Sequence, residues 1–336
     1  MGRLIASDGG KMFEKKSTNQ IPTFIDLFSG AGGFSLGFVQ AGFRDLLAIE
    51  KDKNTAATYE LNFPQTVMMK RDVRTVHSLD IMSKIADKPD IILASPPCEP
   101  FTSANPKRKK NPWARFHEDS QGDLIFHAIR IIGDIHPQFF VIENVVPIAE
   151  TQGKQIIKDA LIAAGYNRIH FNFIRAEEHG CPSSRNRLFI SNIHIILPKK
   201  KKIRAEDVLN DLPNPSYPND FYNHFYVHFP KKIAKKVHKI AKGRAGIYFS
   251  GATREKRNWI RIAPKETANT IMGKSRFIHP EEDRALTIRE HARLMGFSDN
   301  FKFAGSADSM FNQVGEAVPP IIAKQIAEFI KNKIQL

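Results

Sequence analysis

Short apolar runs bounded by glycine or proline alternate with stretches of helical spacing through the first two hundred residues. Residues 23–28 form the first run, and they lead into Ser29, Gly30, Ala31, Gly32 and Gly33. Residues 34–41 then carry apolar side chains at helical intervals, so the opening unit reads as strand, glycine turn, helix. Further strands are predicted at 46–49, 66–69, 89–94, 139–145 and 169–174, and the segment 180–190 runs into another. Amphipathic helices are predicted over 122–132 and 154–164, the second stopped by Gly165. Strands alternating with helices point to an open α/β sheet.

The pattern breaks at the four lysines 199–202. From there to about residue 280 the periodicity is poor, and aromatic residues stand among the cations: Tyr217, Phe221, Tyr222, Phe225, Tyr226, Phe229, Tyr248, Phe249 and Trp259. Such interleaving fits a nucleic-acid-reading module. It also fits a small β-rich domain that packs its rings inside, and most of these rings are assigned to a core. Order returns at 284–297, predicted as a helix in which Thr287 and Glu290 have capping-box spacing. Residues 313–320 then lead to an amphipathic helix over 321–330. Residues 1–20 are polar and are expected to form a flexible N-terminus, with Met12 as an alternative start.

Charge sharpens the second half of this picture. The 336 residues carry a net +15, and between 201 and 280 there are 17 Lys and Arg against six Asp and Glu, a net +11. An excess gathered into one window suggests a polyanionic partner. The hydrophobic fraction of 42% supports a sizeable core. Two cysteines, Cys98 and Cys181, give neither a disulfide framework nor a Cys-rich zinc site; no metal is expected, and a reducing, cytoplasmic compartment fits. No apolar run approaches about 18 residues, so no membrane span is expected.

Candidate chemistry gathers at strand ends. Pro96 and Pro97 stop the strand 89–94 and stiffen the turn that carries Cys98, a thiol placed where open α/β sheets hold their ligands. Glu50 ends the second strand about 20 residues after the glycine turn, the usual place for an acid that binds a ribose hydroxyl pair, and Asp72 follows the third run. Together they suggest an adenosine-containing cofactor. Glu143, at the end of an apolar strand, suits a proton donor whose carboxyl is raised by desolvation. Arg185 and Arg187 alternate onto one side of the chain and suit phosphate or base contacts. Lys107, Arg108, Lys109 and Lys110 form a basic loop beyond Cys98 that could follow a phosphate backbone.

In combination these motifs resemble the C5-cytosine DNA methyltransferase family over residues 22–200 and 284–330. The stretch 28–33 is similar to the family's cofactor loop, Pro97-Cys98 to its nucleophile motif, and Glu143-Asn144-Val145 to its second catalytic motif. Arg185 and Arg187 match the arginine pair that contacts the target nucleotide, while 284–297 and 313–320 match the two closing motifs. Three positions depart from the pattern: Glu99 and Ser183 stand where Gln is usual, and Glu316 where the family has Asn.

The resemblance implies a mostly parallel, seven-stranded, Rossmann-like methyltransferase sheet, with a smaller basic target-recognition domain. It implies a catalytic domain of residues 21–200 plus 307–336, and a recognition domain and hinge over 201–306. S-adenosyl-L-methionine would be the cofactor and S-adenosyl-L-homocysteine the product. Phe28, Gly30, Gly32, Gly33, Glu50, Lys51, Asp72, Val73, Pro97, Leu124, Glu316 and Ala317 would form the cofactor site. Cys98, Glu143, Arg185 and Arg187 would be catalytic. The implied partner is double-stranded DNA, for a monomer with a companion restriction endonuclease acting on the same site. The alternatives are a transfer-RNA cytosine-5 methyltransferase, whose Cys-Phe-Thr signature is absent here, and a catalytically silent DNA-binding homologue. A nicotinamide-dependent oxidoreductase would explain the glycine turn but not Pro97-Cys98.

Overall fold

A computed structural model describes residues 21–150, 152–253 and 255–334; the N-terminal expectations for 1–20 lie outside the described residues. Seven strands form one sheet: β1 (Thr23–Leu27), β2 (Arg44–Ile49), β3 (Val67–Met69), β4 (Ile91–Ala94), β5 (Phe139–Asn144), β6 (His170–Arg175) and β7 (Asn186–Ser191). Their order is β3-β2-β1-β4-β5-β7-β6. Pairs from β3 across to β5 are parallel, while β7 runs antiparallel to both its neighbours. The sheet is the mixed, mostly parallel one expected. β1 is buried at all five positions, as a central strand covered on both faces must be.

Two apolar layers cover the sheet. The helix Leu124–Ile135 lays Ile125, Ala128, Ile129, Ile131, Ile132 and Ile135 against one face. It runs to Ile135 rather than the predicted 132, and stops at His136 in a left-handed conformation. On the other face the helix Gly33–Gln40 packs Phe34 and Phe38 against Ile322, Ala323, Ile326 and Ile330 of the C-terminal helix Pro320–Ile334. The end of the chain therefore returns to the strand that opened it.

A second sheet holds β8 (Ala245–Ser250), β9 (Glu255–Arg261) and β10 (Phe277–Ile278), with β9 antiparallel to β8 and parallel to β10. The assignment of most rings of this region to a core is corrected here. Trp259 is buried, but Tyr217, Tyr222, Phe225, Tyr226, Tyr248 and Phe249 are all exposed. With only three short strands, the segment has too little interior to take them, and aliphatic residues such as Ile233, Ile240 and Ile278 fill it instead.

The helix predicted over 284–297 is shorter, Ile288–Leu294. Its capping box forms as expected, Glu290 N donating to Thr287 Oγ1 at 3.1 Å and Thr287 N to Glu290 Oε2 at 2.7 Å. Residues before the cap are extended: Ala285 bridges Ile278, and Arg284 makes a buried ion pair with Glu290. An extra helix, Ala307–Glu316, capped by Ser306, takes up part of the 313–320 stretch.

Candidate active site

The strand order reverses between β1 and β4, and a crevice beyond the carboxyl ends at such a switch is where open sheets bind ligands. Two turns leave the sheet there. The first follows β1. Phe28 is held at φ 59°, a left-handed conformation uncommon for a bulky side chain. Gly33 is required by packing, since a Cβ there would lie 2.4 Å from Val318 O and 3.0 Å from Ala317 Cβ. Above Gly30, by contrast, the space is open.

Ser29 N donates to Ile49 O at 3.0 Å, lacing this turn to the end of β2. There Glu50 accepts from Gly30 N at 3.1 Å and from Asp52 N at 2.8 Å, one bond to each carboxylate oxygen. Burial pushes the Glu50 carboxyl up, against the pull of those amides. Asp72 accepts from Arg74 N at 3.0 Å, and its other oxygen lies 3.3 Å from Arg74 Nη1 and 3.8 Å from Lys51 Nζ. Arg74 also pairs with Asp123, which precedes Leu124 in sequence. Val73 and Leu124 are buried, Phe28 is half-buried and Lys51 exposed.

The second turn follows β4. Ser95 N donates to Leu27 O at 3.1 Å, and Asn144 Nδ2 to Pro96 O at 3.0 Å, so the Pro97-Cys98 turn is tied to both flanking strands. Cys98 O accepts from Phe101 N and Thr102 N, closing the turn. Glu143, beside Asn144 at the end of β5, is buried, with Arg187 Nε of β7 2.9 Å from its Oε1. Burial pushes the Cys98 thiol up; Arg187 and, less strongly, Arg185 draw it down, and Glu143 and Glu316 raise it. Arg187 stands where its charge eases ionisation, but burial outweighs it.

Arg185 and Arg187 have separate fates. Arg187 faces Glu143 and the thiol. Arg185 is 2% exposed, and its guanidinium donates to Ile271 O at 2.8 Å, Gly315 O at 3.0 Å and Ala317 O at 2.9 Å. It does not line the crevice surface. Glu316, at the end of its helix, reaches solvent while its carboxylate packs against Gly273; burial raises it, then the charges of Glu99 and Glu50, while Lys274 and Arg185 lower it.

These strand ends bring together a thiol, a buried carboxyl and a guanidinium beside an open, carboxylate-bearing crevice. The model of the C-5 cytosine-specific DNA methylase family matches residues 22–332. The chain belongs to that family. Among relatives, M.MjaORF1200P of Methanocaldococcus jannaschii is 39% identical, covering 93% of this chain and 98% of its own. The type II methyltransferase M.FnuDI of Fusobacterium nucleatum is 31% identical, covering 92% and 95%. The solved structure of Entamoeba histolytica methyltransferase EhMeth shares the fold, with 16% identity, a TM-score of 0.68 and coverage of 94% and 99%.

In this cytosine methylase two contacts carry no mark in the sequence. Asn144 stands in the motif with Glu143, yet its part is to hold the Cys98 turn. Ser103, five residues past Cys98, is also bonded: its carbonyl accepts from Ala252 N and its hydroxyl from Lys256 Nζ, both at 3.0 Å. The tip between β8 and β9 thus touches the loop after the thiol. Nothing in the local sequence marks either contact.

Proposed function

We propose that this methylase transfers a methyl group from S-adenosyl-L-methionine to C5 of cytosine in duplex DNA, through a covalent bond between Cys98 and cytosine C6. One observation supports this reading above the others: Cys98, Glu143 and Arg187 converge from the ends of β4, β5 and β7 beside the crevice at Gly30 and Glu50.

The residues of the crevice fit the donor. Room above Gly30 and the lone pairs left on Glu50 suit a ribose and its hydroxyls. Asp72 and Lys51 would meet the adenine, with Phe28, Val73 and Leu124 as its apolar walls. Backbone at Gly32, Gly33, Pro97 and Ala317 would close the site, and Glu316 would set a carboxylate toward the donor's positive charge. When bound, S-adenosyl-L-methionine supplies an electrophilic methyl group and leaves as S-adenosyl-L-homocysteine.

Cytosine C5 is a weak nucleophile hidden in the duplex, so the base must first be flipped out at a cost of a few kcal/mol. The Cys98 thiolate adds to C6 while Glu143 donates a proton to N3, which pushes the C5–C6 electron pair onto C5. Arg187 holds Glu143 in position and offsets part of the burial that disfavours the thiolate. After methylation a base, with water as one candidate, takes the C5 proton; the C5–H electron pair re-forms the C5–C6 double bond, the C6–sulfur pair leaves on the Cys98 thiolate, and N3 returns its proton to Glu143. Residues 201–306 act as the target-recognition domain, with their cations on phosphates and their exposed rings toward the nucleic acid. The protein works as a cytoplasmic monomer, paired with an endonuclease that cuts the same site.

Incubation with a tritium-labelled methyl donor and either duplex DNA or transfer RNA tests this. Label in DNA that is lost in Cys98→Ala supports the reading; label only in transfer RNA, or in neither, overturns it. Bisulfite sequencing of DNA from expressing cells then reads the target.

A further inference from the structure

The segment before β7 is bound to the basic insertion as well as to the sheet. Ser184 N donates to Ala268 O at 2.8 Å and Ala268 N to Pro182 O at 3.0 Å, a parallel bridge outside either sheet. One residue later Arg185 sends its guanidinium inward, where it is shared by two separate pieces of chain. Ile271 O belongs to the insertion. Gly315 O and Ala317 O belong to the end of the helix Ala307–Glu316, beside the cofactor crevice. These pieces also press directly on one another: a Cβ on Gly315 would lie 2.2 Å from Met272 C and 2.3 Å from Gly273 N. On the far side, Ala317 and Val318 rest against Gly33 of the glycine turn. An unbroken chain of contacts runs from the turn through Ala317 and Arg185 to Ile271.

The geometry points to Arg185 as a positioning residue that couples the methyl-donor site to the DNA-recognition insertion, not as a residue that touches the target nucleotide. This rests on the function proposed above. Its charge is spent on carbonyl oxygens, each a charge-assisted bond in a site closed to solvent, and its Nε is buried with no hydrogen-bond partner. A planar fork can serve three carbonyls on two segments at once; a lysine ammonium on a flexible stem cannot hold the same geometry. Whatever fixes Ala317 at the donor site therefore also fixes Ile271, and through it the insertion. Coupling of this kind is reciprocal: bound donor or product must tighten DNA binding by the same factor that DNA tightens the donor.

The test measures DNA affinity with and without saturating S-adenosyl-L-homocysteine, and S-adenosyl-L-homocysteine affinity with and without DNA, in wild type and Arg185→Lys. The wild-type coupling factor is expected to be about fivefold or more, and to fall toward one in Arg185→Lys, with each separate affinity changed by less. The slope of DNA affinity against salt should stay as in wild type in Arg185→Met, because no phosphate contact is removed. Gly315→Ala is the second variant: it leaves Arg185 intact but forces the insertion off the helix end, and should lower the coupling too, so the proposal survives a failure of either Arg185 variant to fold. Wild-type binding of both ligands with a coupling factor of one overturns the proposal. So does a full coupling factor in both Arg185→Lys and Gly315→Ala, or a salt slope shallower by about one unit in Arg185→Met. Failure of wild type to bind one of the two ligands would instead refute the proposed function.

Discussion

Replacing Arg187 by Met removes the largest cationic influence on Cys98 and one half of a buried ion pair. The Arg187 and Glu143 side chains are 14% and 8% exposed and 2.9 Å apart. Breaking such a pair from one side leaves a charge buried alone and costs about 3–5 kcal/mol. That should lower the melting temperature by on the order of 10 °C. The thiol, already pushed up by burial, loses the charge that most opposes the push. A full charge acting through an effective dielectric of about 20 is worth on the order of 1–2 kcal/mol, and with the thiol half-exposed, about a fivefold loss of thiolate below its pKa. Iodoacetamide labelling of Cys98 against pH, read by peptide mass, measures this without turnover, and buried Cys181 is the internal control. Labelling at neutral pH should slow about fivefold, recover at high pH, and return most of the way in Arg187→Lys, which keeps the charge. Unchanged labelling in Arg187→Met across the pH range would refute the argument that Arg187 governs the thiol.

Glu316→Asn should lower the ratio of donor to product affinity about fivefold, the worth of a partly exposed charge contact near 1 kcal/mol, measured by calorimetry. Because burial and then Glu99 and Glu50 raise Glu316, the wild-type ratio should climb with pH while the variant's stays flat. Exchanging the exposed Lys231, Lys232, Lys235 and Lys239 for Gln should make the slope of log K against log salt shallower by up to about 3.6, and an unchanged slope would remove that patch from the DNA interface. Burial lifts Asp26 to about 8 and Asp45 to about 7, from ordinary values of 3.8. Their contribution to stability is therefore full below pH 3.8 and is lost as pH rises through 7 and 8. Urea midpoints should fall from pH 6 to 9, and fall less in Asp26→Asn.

The parts legible in the sequence are those set by neighbours a few residues apart. The opening strand, glycine turn and helix follow from periodicity, and the Thr287–Glu290 cap from a three-residue spacing. Cys98 at a strand end follows from two prolines. What stayed hidden depends on acceptors that carry no sequence mark. In the sequence Arg185 reads, with Arg187, as a contact to the target nucleotide until its partners are known, and those are backbone carbonyls 86 to 132 positions away. Tyr59, which hydrogen-bonds both Asp45 and Ser35 beneath the glycine turn, was invisible for the same reason. Ring content alone places the rings of 201–280 in a core, because it does not reveal how little interior three short strands enclose.

In the proposed mechanism Cys98 bonds covalently to cytosine C6 during methyl transfer. Duplex DNA carrying 5-fluorocytosine at the target tests it most directly, because fluorine at C5 cannot leave as a proton and the bond to the enzyme cannot be released. Incubation with methyl donor, digestion and mass spectrometry should place the methylated fluorocytosine on the peptide containing Cys98, only when donor is present, and not in Cys98→Ser. Efficient methylation of ordinary DNA by Cys98→Ser, or a trapped adduct on any other residue, would contradict the account.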